Sequence, residues 1–487
     1  MRSRANQKAR LHIPVLRWGK PYESLETVTL GHLGTGEAVA TVSQANPGLI
    51  AHDLLKAQTA QAALGALATR DLIALSRRAA DLFMTASLPV GEAEQSPEEY
   101  VRQLSATTGL PEVMARRNME KIRYVLAEME TVVAGLTRGL PLDVLDRGHG
   151  ASGGQIVSYR RETDVLAAIL PSNSPGVHAL WLPAITFKAA LTLKPGRQEP
   201  WTPYRVAQAF VAAGCPAEAL GFYPTSVAGS TTLLERAGRS LLFGDAGTVA
   251  PWRDDERVEI HGPGWSKVVV GPDLAGRFAD YLDVFASSVA DNGGRSCVNA
   301  SGIRTPARGR ELALALAERL ATIEARPLDD PAACLAAFPS VAAAHRLSAH
   351  IDRQLAAGGA EDVTARFRSG GRVVEIDGCA FLLPTVVFCE DADHPLAQAE
   401  YLFPFVAVVE SPAAELLPRL GPSLVVTALS NDPTFLAACL ASPHVERLNI
   451  GPIPTSRVVW DQPHEGNLFE LLYRRRAYQQ AALGVAA

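Results

Sequence analysis

The chain has 487 residues, 47% of them hydrophobic and 20% charged, with a net charge of −5. That length suits two to four domains or lobes, and the composition supports a large core rather than disorder. No long basic run is present, which argues against a nucleic-acid phosphate track, and the longest apolar stretch, Val165 to Leu193, is broken by Ser172, Asn173, His178 and Lys188, which argues against a membrane span. In chain order, residues 1–50 read as extended, with alternating segments at Glu26–Leu30 and Ala38–Val42. From about Leu54 to Arg138 the apolar period is helical, and Gly139-Leu140-Pro141 closes that block. A short strand-like piece follows at Ile156–Arg160. Compact apolar runs then alternate with helical ones: DVLAAIL, ALTLKP, a helix near 203–213, GFYPT, a helix near 231–237, and RSLLFG. Such alternation predicts a parallel α/β sheet. From KVVVG onward a second series follows, with helices near 310–324 and 341–356 and strands RVVEI, TVVF, FVAVVE and SLVVTAL. The tail, 456–487, reads as helix-rich.

Six cysteines are scattered with no C-x-x-C pair and no Cys/His zinc spacing, so reduced thiols, a cytoplasmic setting and no metal site are expected. The first residues, MRSRANQKARLHIP, are basic but lack the apolar run of a signal peptide. Arg474-Arg475-Arg476 reads as a solvated face or an interface.

One segment carries chemistry. In DNGGRSCVNASGIRT (291–305), Cys297 follows a Gly-Gly pair and precedes a strand, which suits a thiol on a loop facing a cleft. A thiol adds to an aldehyde carbonyl, a hydride leaves, and a thioester remains. The bland alternative is a buried, inert cysteine. A second segment, AAILPSNSPGVHALWLPA (167–184), places Asn173 just past a strand end, where its amide N–H can meet an oxyanion or form a plain Asx-turn.

Together, N-G-G-R-S-C and P-S-N-S-P resemble the nucleophile and oxyanion segments of the aldehyde dehydrogenase superfamily, over roughly residues 150–460. The resemblance implies an α/β fold in three parts. A Rossmann-type cofactor domain would span 163–270, with 1–142 as its helical N-terminal part. A catalytic α/β domain would span 271–455. A small bridging and oligomerisation element would combine 143–162 with the tail, 456–487. It also implies roles: Lys194 in LTLKPG at the adenosine ribose, Gly244 and Asp245 in LFGDAG at the pyrophosphate, and Glu400 in AEYLFPF at the nicotinamide ribose. A homodimer or homotetramer follows from a bridge with exposed strand edges.

Three departures bear on chemistry. His261, in EIHGPGWSK, stands where the superfamily's water-activating glutamate falls. Without that base a thiol such as coenzyme A can take the acyl group, as in the CoA-linked acyl reductases that this chain resembles here; alternatively His261 is itself the base, or holds a loop. Glu470, in NLFELLY, lies where some members carry a second glutamate, with a helix-surface carboxylate as the plainer reading. Arg197 stands where NAD-preferring members carry a glutamate, which favours NADP over NAD unless it merely faces Glu199. Asp245 replaces a serine, so its carboxylate must turn away from pyrophosphate or cap the next helix. Trp181, Trp201 and Trp460 read as core or interface, and His464-Glu465 as a candidate lining of an acyl tunnel. The expected function is interconversion of an aldehyde and its acyl derivative on Cys297, with release to CoA, or, alternatively, to water. A catalytically inactive binding protein on the same fold is the rival.

Overall fold

The computed structural model describes residues 11–462 and 465–480. Two seven-stranded sheets organise them. The first runs, edge to edge, Val258–His261, Arg239–Phe243, Val165–Ile169, Ala190–Lys194, Leu220–Phe222, Val15–Arg17 and Lys20–Tyr22. The first five strands are parallel, and the last two turn antiparallel. Val165–Ile169 is buried at every position, as a strand covered on both faces must be. Its successive side chains divide between two cores. Leu166 and Ala168 join the helices Thr69–Thr85, Glu112–Ala127 and Trp201–Ala212. Val165, Ala167 and Ile169 join Pro47–Leu54 and Val227–Arg236. The sheet's order reverses at Val165–Ile169, which opens a crevice beyond the carboxyl ends of that strand and of Arg239–Phe243.

The second sheet runs Ala360–Asp362, Thr385–Cys389, Phe405–Glu410, Ala300–Thr305, Ser266–Val270, Ser423–Leu429 and Val445–Ile450. All but Ala360–Asp362 run parallel. Ser266–Val270 pairs with Ala300–Thr305 and Ser423–Leu429, so the boundary expected at 270 falls earlier, in the turn at 262–265. The hairpin His149–Ser152/Gln155–Arg161 is joined by Tyr473–Arg476 into a third, three-stranded sheet. The tail is therefore less helical than its sequence suggests: Leu468–Leu472 is a single short helix, and the chain then leaves as a strand because Gln155–Arg161 offers it an open edge. The helical block is likewise interrupted, by the hairpin Leu88–Val90/Ala93–Gln95. Among the described residues no helix is long and apolar enough to cross a membrane.

The placement that matters is end to end. Turns leaving the first sheet, at 171–174 and 244–245, share one cavity with turns entering the second, at 295–298 and 400–402.

Candidate active site

Cys297 sits in the turn before Ala300–Thr305. Asn299 fixes that turn: its Oδ1 accepts from Ser296 N at 2.9 Å, and its Nδ2 donates to the carbonyls of Ser288 at 3.2 Å and Asp291 at 3.0 Å. The Cys297 carbonyl accepts from Ser266 Oγ at 2.9 Å. Gly264 passes so close that a Cβ there would lie 2.0 Å from the same carbonyl oxygen, which makes glycine obligatory. Cys297 lines a cavity of about 630 Å³, where its side chain is deep yet within reach of solvent. Burial, together with the negative charges of Glu465 and Glu400, pushes its pKa well above the ordinary thiol range, while its own N–H and that of Val298 oppose the shift.

Asn173 faces this turn. Its Nδ2 donates one hydrogen to the Arg295 carbonyl at 2.8 Å, leaving the other for a second acceptor, and its Oδ1 is buried without a partner among the described residues. Behind it, four side chains tie three segments together. Asn118 Nδ2 donates to Asn292 Oδ1 at 2.8 Å, Asn292 Nδ2 donates to Ser174 Oγ and to Ser296 Oγ, each at 3.1 Å, and Ser174 Oγ donates to Asn118 Oδ1 at 3.3 Å. Asn292 adopts φ 53°, a left-handed conformation that asparagine tolerates. Arg295 anchors the turn from below, donating to the Thr108 carbonyl at 3.0 Å.

His261 ends its strand on the cavity wall, 4% exposed. Its ring stacks on Phe243 with centroids 4.3 Å apart. Glu465 Oε2 lies 2.6 Å from Nδ1, and Glu259 Oε1 lies 3.2 Å from Nε2. Neither N–H points squarely at its carboxylate, so these are ion pairs more than aligned hydrogen bonds. Burial opposes the charged ring, but the two carboxylates outweigh it and raise its pKa to about 10. The upward shift favours the imidazolium, which has no lone pair with which to take a proton. That shift weighs against His261 as a free base. Glu465 is the carboxylate that the structure brings to the cavity instead. Its sequence signal was only adjacency to His464, which lies outside the described residues.

Glu400 also reaches the cavity, accepting from Gly264 N at 3.2 Å and Trp265 N at 2.5 Å. Burial raises its pKa to about 7. Gly244 and Asp245 line the same space. Asp245 Oδ1 accepts from Thr248 N at 2.8 Å, capping the turn of helix Ala246–Val249, and these N–H groups hold its pKa below the ordinary carboxylate range. Lys194 ends its strand enclosed and without an ion-pair partner among the described residues, and burial lowers its pKa. Arg197 is exposed three residues on. The reading in which it faces Glu199 is corrected: Glu199 is buried, bonded to His178 at 2.9 Å and to Thr202. Glu470 does not line the cavity that holds the thiol. It is exposed on helix Leu468–Leu472 and pairs with Arg138 at 3.1 Å. Trp181 and Trp201 are core, as expected, whereas Trp460 lines the cavity.

The aldehyde dehydrogenase family model matches residues 22–415. No curated protein matches the chain. Among solved structures it is similar to indole-3-acetaldehyde dehydrogenase in complex with NAD⁺, with a TM-score of 0.77 and 19% identity, covering 96% of this chain and 97% of that one. It is similar too to the aldehyde dehydrogenase KauB of Pseudomonas aeruginosa (TM-score 0.76, 17% identity, 96% of each chain). A third likeness is to 3,6-anhydro-L-galactose dehydrogenase in complex with NADP (TM-score 0.73, 14% identity, 96% and 99%). A cysteine and an asparagine facing each other between two α/β sheets, within a match that spans most of the sequence, identify this chain as a member of the aldehyde dehydrogenase family.

Proposed function

We propose that this chain oxidises an aldehyde to the acyl level on Cys297, with NAD or NADP as the redox partner, and releases the acyl group to water. The observation that carries this reading is the Cys297 thiol deep in a cavity that also holds the Asn173 amide and the Glu465 carboxylate. The thiol, once deprotonated, adds to the carbonyl carbon. The oxyanion accepts from the second Asn173 Nδ2 hydrogen and from the Cys297 N–H. When bound, the nicotinamide supplies the hydride acceptor. Glu465, paired with His261, takes a proton from the water that attacks the thioester, and Cys297 departs with its sulfur electron pair. Asn118, Asn292 and Ser174 hold the two loops in register and touch no reacting atom.

The residues fit a dinucleotide. Lys194 is an enclosed ammonium at a strand's carboxyl end, where ribose hydroxyls or a phosphate would offset its isolation. Gly244 leaves the backbone bare beside the crevice, and Glu400 stands at the catalytic end. Exposed Arg197 supports a 2′-phosphate, hence NADP. Indole-3-acetaldehyde dehydrogenase binds NAD⁺ and 3,6-anhydro-L-galactose dehydrogenase binds NADP, so the fold accommodates either. The second reading, acyl transfer to coenzyme A, is favoured by the loss of a free base at position 261.

Oxidation of a set of aldehydes with NADP⁺ or NAD⁺, with and without CoA, tests both. Free acid formed at a rate unaffected by CoA supports hydrolysis. Acyl-CoA as the product, or reduction of acyl-CoA by NADPH, supports transfer. No turnover and even alkylation of all six thiols would reject both in favour of an inactive binding protein. The outer edge of Tyr473–Arg476 is unpaired among the described residues, which supports a homodimer or homotetramer, measurable by light scattering.

A further inference from the structure

The turn at 262–265 does not hold its shape unaided. Trp265 adopts φ 43°, a left-handed conformation that an aromatic residue takes only when its surroundings impose it. Two charged side chains grip the turn there. The Glu400 carboxylate accepts from two successive amides, Gly264 N at 3.2 Å and Trp265 N at 2.5 Å, so each of its oxygens is engaged by the protein itself. Lys267, 4% exposed, takes the carbonyl side: its Nζ donates to Trp265 O at 2.7 Å, and also to Pro422 O at 3.2 Å and Ser423 Oγ at 2.9 Å. Burial and the nearby Arg304 disfavour the Lys267 ammonium, and the charge of Glu400 supports it. Glu400 lines the cavity, whereas Lys267 does not.

What the pair grips is the backing of the nucleophile. Gly264 lies against the Cys297 carbonyl, and Ser266 Oγ, one residue beyond Trp265, donates to that same carbonyl at 2.9 Å. The segment that carries Glu400 touches the nucleophile loop a second time: a Cβ at Gly294 would lie 2.4 Å from the Phe403 carbonyl carbon. A shift of the turn therefore moves the sulfur relative to the Asn173 amide.

We propose that Glu400 and Lys267 are positioning residues that act as one clamp on the Gly264–Trp265 turn, so that Glu400 serves the reaction by fixing Cys297 rather than by holding the nicotinamide ribose. The inference rests on the reading of Cys297 as the acylated nucleophile. Lys267 is what separates the clamp from a cofactor-binding role, because it shares the turn with Glu400 without reaching the crevice.

The test uses p-nitrophenyl acetate. Cys297 takes its acetyl group and p-nitrophenolate leaves, with no hydride transfer and no dinucleotide. Glu400→Gln keeps the side chain's shape but sets an N–H group against one of the two amides. Ester acylation should fall about 100-fold, as for a misplacement near 1 Å, while the Kd for NADP⁺ stays within about twofold. With aldehyde, kcat should fall and KM for NADP⁺ should hold. Lys267→Met should show the same pattern, and the double variant should be little worse than either single one, because both act on one turn. Glu400→Gln that weakens NADP⁺ by about tenfold or more and acylates at the wild-type rate overturns the clamp in favour of a ribose ligand. A folded Lys267→Met that acylates like the wild type also overturns it. Should circular dichroism show Lys267→Met unfolded, the two Glu400→Gln measurements decide alone. Wild-type ester release that Cys297→Ser leaves unchanged removes the nucleophile reading, and the clamp with it.

Discussion

At His261, burial works against the charged ring while Glu465 and Glu259 work for it, and the carboxylates prevail. Its folded pKa, about 10, lies above the ordinary 6.5, so the stabilisation is fully present below pH 6.5 and is lost as pH rises towards 10. Urea unfolding of the wild type should therefore show lower stability at pH 9.5 than at pH 7. His261→Gln should flatten that slope and cost about 3 kcal/mol at pH 7, because two facing carboxylates lose their shared cation. An unchanged slope would show that the ring is neutral. The Cys297 thiol is shifted upward as well, so its alkylation should accelerate about tenfold per pH unit between pH 7 and 9. Glu465→Gln should speed it at fixed pH by removing a negative charge from the thiol's surroundings. Cys297 and Asn173 were legible in sequence because their local segments, N-G-G-R-S-C and P-S-N-S-P, are distinctive. Glu465 was legible only as a neighbour of His464, since its meaning depends on a distant tail folding back onto a strand end.

Among the elements, the turn at 262–265 does the most to set the site, since it both enters the second sheet and supports the thiol from behind. Gly264→Ala would push its Cβ into the Cys297 carbonyl. We expect a fall of about 100-fold in kcat/KM, the usual consequence of a displacement near 1 Å, with the far-ultraviolet circular dichroism unchanged. Strand identity was legible wherever runs such as VLAAI were continuous and apolar. Which sheet a strand joins was not. Ser266–Val270 has the composition of either sheet, and only its hydrogen bonds to Ala300–Thr305 and Ser423–Leu429 assign it. Tyr473–Arg476 shows the same effect more strongly, because its helix-like tail composition yields to the edge offered by Gln155–Arg161.

On the scale of the whole molecule, the two sheets meet carboxyl ends to amino ends, so a ligand in the crevice touches both. Binding of NADP⁺ should then stabilise the entire fold rather than one lobe, by about 2.7 kcal/mol at a hundredfold excess over Kd. Calorimetry should show a single transition moving upward. A transition that splits, with only one part moving, would place the dinucleotide on one lobe alone. The order of parts along the chain was legible from motif order, and the end-to-end meeting of the sheets was not, because no local pattern encodes it.

The wall that closes the cavity has a further consequence. Residues 456–465 supply Arg457, Val458, Trp460 and Glu465, yet they follow every strand of both sheets. During translation, a nascent chain that has emerged through residue 450 already holds Cys297 and the strands of both sheets, but not the roof of the cavity. Until the next stretch leaves the ribosome, the sulfur stands open to oxidants without the carboxylate proposed to serve it, so on that reading the order of synthesis assembles the hazard before the chemistry.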